Sequence, residues 1–163
     1  MIKKFFNWLG DLLFSMLDDE PINDDYISEY FTLAELVKSD TAIRHGIVNE
    51  PNSQQLNNLK MVSRKILDPV REKFGAFSPF SGFRSKELNT LIGGASNSQH
   101  MKGEAVDFEI PGVDNLKVFN WIKDNLDYDQ LILEYYEEGF TNSGWIHVSY
   151  NVFGNRKESF KIN

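Results

Sequence analysis

SGFRSKELNTLIGGASNSQHMKGEAVDF, Ser81 to Phe108, is the stretch from which the fold can be read. Lys86 to Ile92 has the composition of a brief helix, closed by Gly93 and Gly94, and a polar Gly/Ser/Asn loop follows through His100. Ala105 to Ile110 then alternates: Val106, Phe108 and Ile110 fall on one face, Ala105, Asp107 and Glu109 on the other. This predicts a strand with a polar face, ended by Pro111 and Gly112. Two chemically active side chains, His100 and Asp107, sit seven residues apart across the loop-to-strand junction.

C-terminal to this stretch, Leu116, Phe119, Ile122 and Leu126 mark an amphipathic helix. Gln130 to Tyr136 and Trp145 to Tyr150 are strand candidates flanking a turn-like segment, Glu138 to Ser143. Trp145, His147 and Ser149 share one face of the last strand. On the N-terminal side, Thr32 and Glu35 form a capping box, which predicts a helix from Leu33 to about Lys38 and then a short turn to Gly46. Ala76 to Phe83 reads as extended. The longest helical pattern places Leu56, Leu59, Val62, Ile66, Val70 and Phe74 on one face, with Gly75 as its stop and Pro69 expected to kink it. Helices first, then strands with a helix between them, is the signature of a small α+β domain.

Composition narrows the chemistry. The chain has 163 residues, 41% of them hydrophobic, which suits a single folded domain rather than a disordered segment. A net charge of −7 repels phosphate backbones, so no nucleic-acid partner is expected. Cysteine is absent, which excludes disulfide scaffolds, thiolate zinc fingers and cysteine nucleophiles. Any transition-metal site must be built from carboxylates and the three histidines His45, His100 and His147.

The first 17 residues place Ile2, Phe5, Phe6, Leu9, Leu12, Leu13, Met16 and Leu17 at helical spacing behind Lys3 and Lys4. Three readings stay open: a short helix docking on its own domain or a partner, a membrane-surface anchor, or an atypical export signal. The acidic run Asp18 to Asp25 reads as a linker, giving a division into residues 1–29, helix and linker, and a globular domain at 30–163. No cleavable signal peptide is recognised, so synthesis in the cytoplasm is expected, with release by lysis or packaging in a virion both open; a monomer is expected.

Two imidazoles and one carboxylate suit zinc, and three protein ligands leave a fourth position for water, the arrangement of a hydrolase. His100, Asp107 and His147 can supply that set, although in a chain this rich in acids spacing alone does not single them out.

Ser98, His100, Gly103, Ala105 and Asp107 reproduce S-x-H-x-x-G-x-A-x-D. This resembles the zinc motif of the D-alanyl-D-alanine carboxypeptidase family of metallopeptidases, and W-I-H-V at Trp145 to Val148 resembles that family's second histidine segment. F-T-L-A-E-L at Phe31, S-D-T-A at Ser39, L-D-P-V-R-E-K-F-G at Leu67 to Gly75 and S-G-F-R-S at Ser81 extend the likeness over about residues 30 to 150, toward the branch common in phage and prophage genomes. The resemblance implies the fold shared with the Hedgehog signalling domain, a small antiparallel sheet carrying zinc and backed by helices. It implies His100, Asp107 and His147 as ligands of Zn2+, Arg84 beside the metal as a catalytic and substrate-binding group, and Ser98 as a substrate-binding or loop-shaping residue. It implies a peptidoglycan peptide as substrate and hydrolysis of an amide bond in the stem peptide, by a carboxypeptidase or an endopeptidase. A non-catalytic wall-binding or virion module that keeps its zinc is the alternative. His45 matches no motif and reads as a cationic cap on a helix C-terminus.

The pattern breaks at one point. Many members carry an acid three residues before the second histidine, where this chain has Gly144. Glu134 is the substitute expected to act as base, on the strand before His147 with Leu133 and Tyr135 turned to the core. Glu109, sharing the face of Asp107, is the second candidate; Glu137 and Glu138 read as solvated turn residues.

Overall fold

A computed structural model describes residues 26–163. The N-terminal helix and acidic linker expected before Tyr26 lie outside the described residues. Tyr26 bridges Thr32, Ile27 is buried in the core, and Ser28 Oγ and the Glu29 backbone N–H donate to Asp68 at 2.8 and 3.2 Å. Docking on the body therefore begins ahead of Tyr30.

The capping box forms as expected at α1, Leu33–Val37. The turn expected before Gly46 is instead a second helix, α2, Asp40–His45. Ser39 caps it by accepting from the Ala42 N–H, and Gly46 ends it at φ 64°. A serine before and a left-handed glycine after are helix signals that outweigh the weak apolar periodicity between them.

The long apolar stripe divides into α3, Ser53–Val62, a π-helical turn, Ser63–Leu67, and α4, Asp68–Phe74. The π-helical turn lies immediately before Pro69, where the kink is expected. Asp68 N–H reaches back to Ser63 O, one residue further than in an α-helix, and Pro69 follows directly in the first turn of α4.

Helix α5, Lys86–Leu91, capped by Ser85, leads through the polar loop to a 3-10 turn, Gln99–Lys102. The remaining elements are β1, Ala105–Phe108; α6, Asn115–Asn125; β2, Gln130–Glu134; β3, Trp145–Ser149; and β4, Glu158–Ile162. The sheet order is β1-β3-β2-β4. The first three strands pair antiparallel, while β4 adds to the edge of β2 in parallel, so the sheet is mixed rather than wholly antiparallel. Strand β4 is absent from the sequence reading because its apolar residues, Phe160 and Ile162, remain over a third exposed and give little burial pattern. The extended segment expected at 76–83 contributes only one bridge, Ser81 to Asp107, and otherwise carries Phe77 and Phe83 into the core.

Register then fixes two faces. Val106, Phe108, Leu131, Leu133, Ile146 and Val148 face the core with Leu59, Val62, Ile66 and Val70 of the long helical segment. The alternate residues Asp107, Ile132, Glu134, Trp145 and His147 lie on the other face, with Asp107 opposite His147, His147 opposite Ile132, and Glu134 opposite Trp145. The class is α+β, with helices packed on one side of a small sheet. Among the described residues no helix is long and apolar enough to cross a membrane.

Candidate metal centre

Asp107 and His147 meet because β1 and β3 pair directly at these positions. His147 Nδ1 lies 2.7 Å from Asp107 Oδ1. His100 arrives from the 3-10 turn, with Nε2 3.2 Å from the same oxygen. That turn ends at Gly103, φ 72°, which lies against α3; a Cβ there would collide with the Gln55 backbone carbonyl. The motif glycine thus lets the loop close on α3 and brings His100 onto the sheet. One ligand atom from each of His100, Asp107 and His147 lies within 4.8 Å of the others.

Second contacts orient the donors. His100 Nδ1 lies 2.7 Å from Gly82 O. A carbonyl only accepts, so a proton belongs on Nδ1, and Nε2 is the ring nitrogen that faces the cluster. Arg84 Nη2 donates to Asp107 Oδ2 at 2.7 Å, and its Nε and Nη2 donate to Ser81 Oγ at 2.9 and 2.7 Å. Arg84 is therefore turned onto the carboxylate of Asp107 rather than into the large cleft, and its neighbourhood is a small cavity with Phe80, Phe83 and Leu88. Burial acts to raise the Asp107 pKa, but the charge and hydrogen bonds of His100 and His147 hold it well below the usual carboxylate range. Two ring nitrogens and a carboxylate oxygen converging in a site of buried residues, each backed by a hydrogen bond or a strand partner, are the donor set that zinc takes in an open hydrolytic site.

A cleft of about 520 Å³ runs past this cluster. His147 and Glu134 line one end, Ser98 and Asn97 one wall, and Glu104, Asp129 and Arg156 the far end. Glu134 is half-buried. Burial raises its pKa, as does the nearby Asp107 charge, while His147 and Arg84 pull it down. Tyr135 departs from expectation: it is 57% exposed, not in the core. Its φ of 51° breaks the strand alternation after Glu134, and its ring sits 5.1 Å from that of Trp145. Phe80 meets Trp145 from the other side at 6.1 Å, so an aromatic rim borders the Glu134 end. Gly144, at φ 64°, has no room for a side chain: a Cβ would overlap the Glu134 carbonyl. This explains why an acid cannot occupy that position with this backbone.

Glu109 is exposed and lines a different depression, with Ile110, Pro111 and Asn142. Glu137 and Glu138 are exposed beyond the strand end. His45 is exposed in the last turn of α2.

The far end of the cleft has no counterpart in the sequence reading. Asp129, only 2% exposed, accepts from the Arg156 backbone N–H and Nε at 3.0 and 2.9 Å on Oδ1, and from Arg156 Nη2 and Gln99 Nε2 at 2.7 and 2.8 Å on Oδ2. The signal available in the sequence was the acid at the mouth of β2, but its partner Arg156 precedes a strand that leaves no pattern.

A buried His/Asp/His set carried on a small sheet, beside a cleft with an acid on the same face, defines a metallohydrolase-type centre. The family model described as Peptidase M15 matches residues 29–149, and the chain belongs to that family of zinc D-Ala-D-Ala carboxypeptidase-like peptidases. No curated protein matches the chain.

Proposed function

We propose that this protein hydrolyses an amide bond in peptidoglycan stem peptides, using His100, Asp107 and His147 to hold zinc and Glu134 as the general base. The observation that carries the reading is that Glu134 and His147 line one cleft from neighbouring strands, on the face opposite the core. Zinc held there supplies Lewis acidity toward a carbonyl oxygen and acidifies water. Glu134 takes a proton from the attacking water as its oxygen bonds to the carbonyl carbon, then returns that proton to the leaving nitrogen as the C–N bond breaks. Arg84 acts through Asp107, fixing the carboxylate so that one oxygen faces the histidines. Ser98 lines the cleft, and in this reading it contacts the peptide. A phage or prophage setting is supported by the likeness of the segments at Phe31 and Leu67 to that branch.

The test is incubation of the zinc-loaded protein with purified peptidoglycan, with mass spectrometry of the released fragments to identify the bond cut. Glu134→Gln should bind zinc as the wild type does and lose about 10²- to 10⁴-fold in rate. Release of no fragment from any wall type by the zinc-loaded wild type would refute the peptidase reading and favour a binding module. Full activity in Glu134→Gln with loss in Glu109→Gln would move the base to the residue after β1.

A further inference from the structure

At the far end of the cleft Asp129 and Arg156 are matched to each other. Asp129 has four donors, and Arg156 bonds to it on one side and to Glu158 at 3.2 Å on the other. Glu104 differs. It is 9% exposed, it lines the cleft, and its Oε2 is buried with no hydrogen-bond partner among the described residues; burial raises its pKa, against the charge of Lys102 and a hydrogen bond from Gln99. Its backbone is fixed at both ends: Glu104 N–H donates to Gln99 O, and Glu104 O accepts from Tyr150 N–H at 2.9 Å. Lys102 is exposed on the same cleft wall and makes no ion pair with Glu104. Among the residues lining this end, Arg156 is engaged by Asp129, which leaves Lys102 as the cation nearest in sequence to Glu104. A buried carboxylate oxygen without a donor is costly, and it is satisfied when a ligand brings one.

We propose that Glu104 is a specificity residue that receives an alkylammonium group of the substrate. Register places it about three strand residues from His147, roughly 10 Å along the sheet. An extended peptide held at the metal centre covers that distance in two or three residues, and a long amine-bearing side chain covers part of it alone. The inference rests on the peptidase reading of the cleft and adds to it the charge the substrate must carry. Either a side-chain amine of a diamino acid or a free N-terminal amine offers this chemistry.

The experiment uses stem-peptide mimics containing lysine in three forms: both amines free, only the side-chain amine acetylated, and only the α-amine acetylated. Calorimetric binding and turnover are measured on zinc-loaded wild type and Glu104→Gln, which keeps the shape of the side chain and has its fold and metal content checked. Acetylation of one amine should weaken binding and kcat/KM in the wild type by about 10- to 100-fold, and Glu104→Gln should lose the same factor for the free-amine peptide while ignoring acetylation. The amine whose acetylation matters is the source. Equal values for all three peptides in the wild type, or an undiminished preference in Glu104→Gln, would overturn the proposal, as would failure of every peptide to bind. Binding that depends on Glu104 without turnover would uphold it while removing the peptidase reading; turnover indifferent to Glu104 and acetylation would do the reverse.

Discussion

Asp107 and Asp129 are two buried aspartates on one sheet, and both have carboxyls held below the ordinary range, yet their surroundings differ in kind. Asp129 is lowered to about 2 mainly by hydrogen bonds from Arg156, whose side chain is 57% exposed, with Gln99 adding another. Each of those donors is fixed in one protonation state, and together they fill both oxygens. Asp107 is held low against its burial by His100 and His147, side chains that can be neutral or cationic, with Arg84 on the remaining oxygen. A carboxylate satisfied by permanent donors ties strands together. One sharing an oxygen between two imidazoles is poised for a cation to replace the protons.

Replacing each aspartate breaks this comparison most sharply. Asp107→Ala should abolish stoichiometric zinc binding, because two imidazoles alone do not complete a three-ligand site. Asp129→Ala should retain a full zinc complement while lowering the unfolding midpoint, since Arg156 and Gln99 are left without their acceptor. Elemental analysis beside urea denaturation reads both. Wild-type zinc in Asp107→Ala, or empty sites in a folded Asp129→Ala, would erase the distinction. His45→Ala serves as the control for histidine count, with metal unchanged.

Arg84 sharpens the same contrast at smaller amplitude. Its fork joins Ser81 and Asp107, so it governs the direction of a ligand without being one. Arg84→Ala should weaken zinc affinity by about 10-fold or more, the range for groups that support metal ligands, and Arg84→Lys should recover little because an ammonium cannot hold both partners in one plane. Competition with a chelator of known affinity measures it. Unchanged affinity in Arg84→Ala, together with lost turnover, would turn the guanidinium back toward the substrate.

How much was legible in the sequence follows the same division. The metal-centre half is local: the motif from Ser98 to Asp107 occupies a turn and the strand after it, and period-two alternation puts Asp107 and His147 on polar faces. The pairing that joins them, Asp107 opposite His147, comes from the structure. The far end was hidden because Asp129, Gln99 and Arg156 come from three separated segments, and Arg156 leads into an edge strand whose exposed residues carry little hydrophobic signal. Tyr135 escaped for another reason. Alternation assigns it to the core, but a left-handed backbone after Glu134 rotates it outward, and nothing in the residue type announces a positive φ in a bulky aromatic. Pro69 is a further case: the sequence marks the proline, but not the π-helical turn that directly precedes it.

The smallest expected effect tests the structural aspartate by acid. A carboxyl with an ordinary value of 3.8 in the unfolded chain and about 2 in the folded one binds fewer protons when folded as pH falls. Its stabilisation is complete above the unfolded value and is lost as pH drops from about 4 toward 2. Because the Arg156 side chain is largely in water, the contribution is on the order of 1–2 kcal/mol rather than that of a fully enclosed pair. Asp129→Asn removes the titration while keeping the shape, so the difference in stability between wild type and Asp129→Asn should narrow by about 1 kcal/mol between pH 6 and pH 3. The metal-free protein is compared in both cases, so acid effects at Asp107 and the histidines are common to the two chains and cancel. A difference independent of pH would mean that Asp129 stabilises through hydrogen bonds that its amide replacement loses equally at every pH, and the charge of the pair with Arg156 would then contribute nothing measurable.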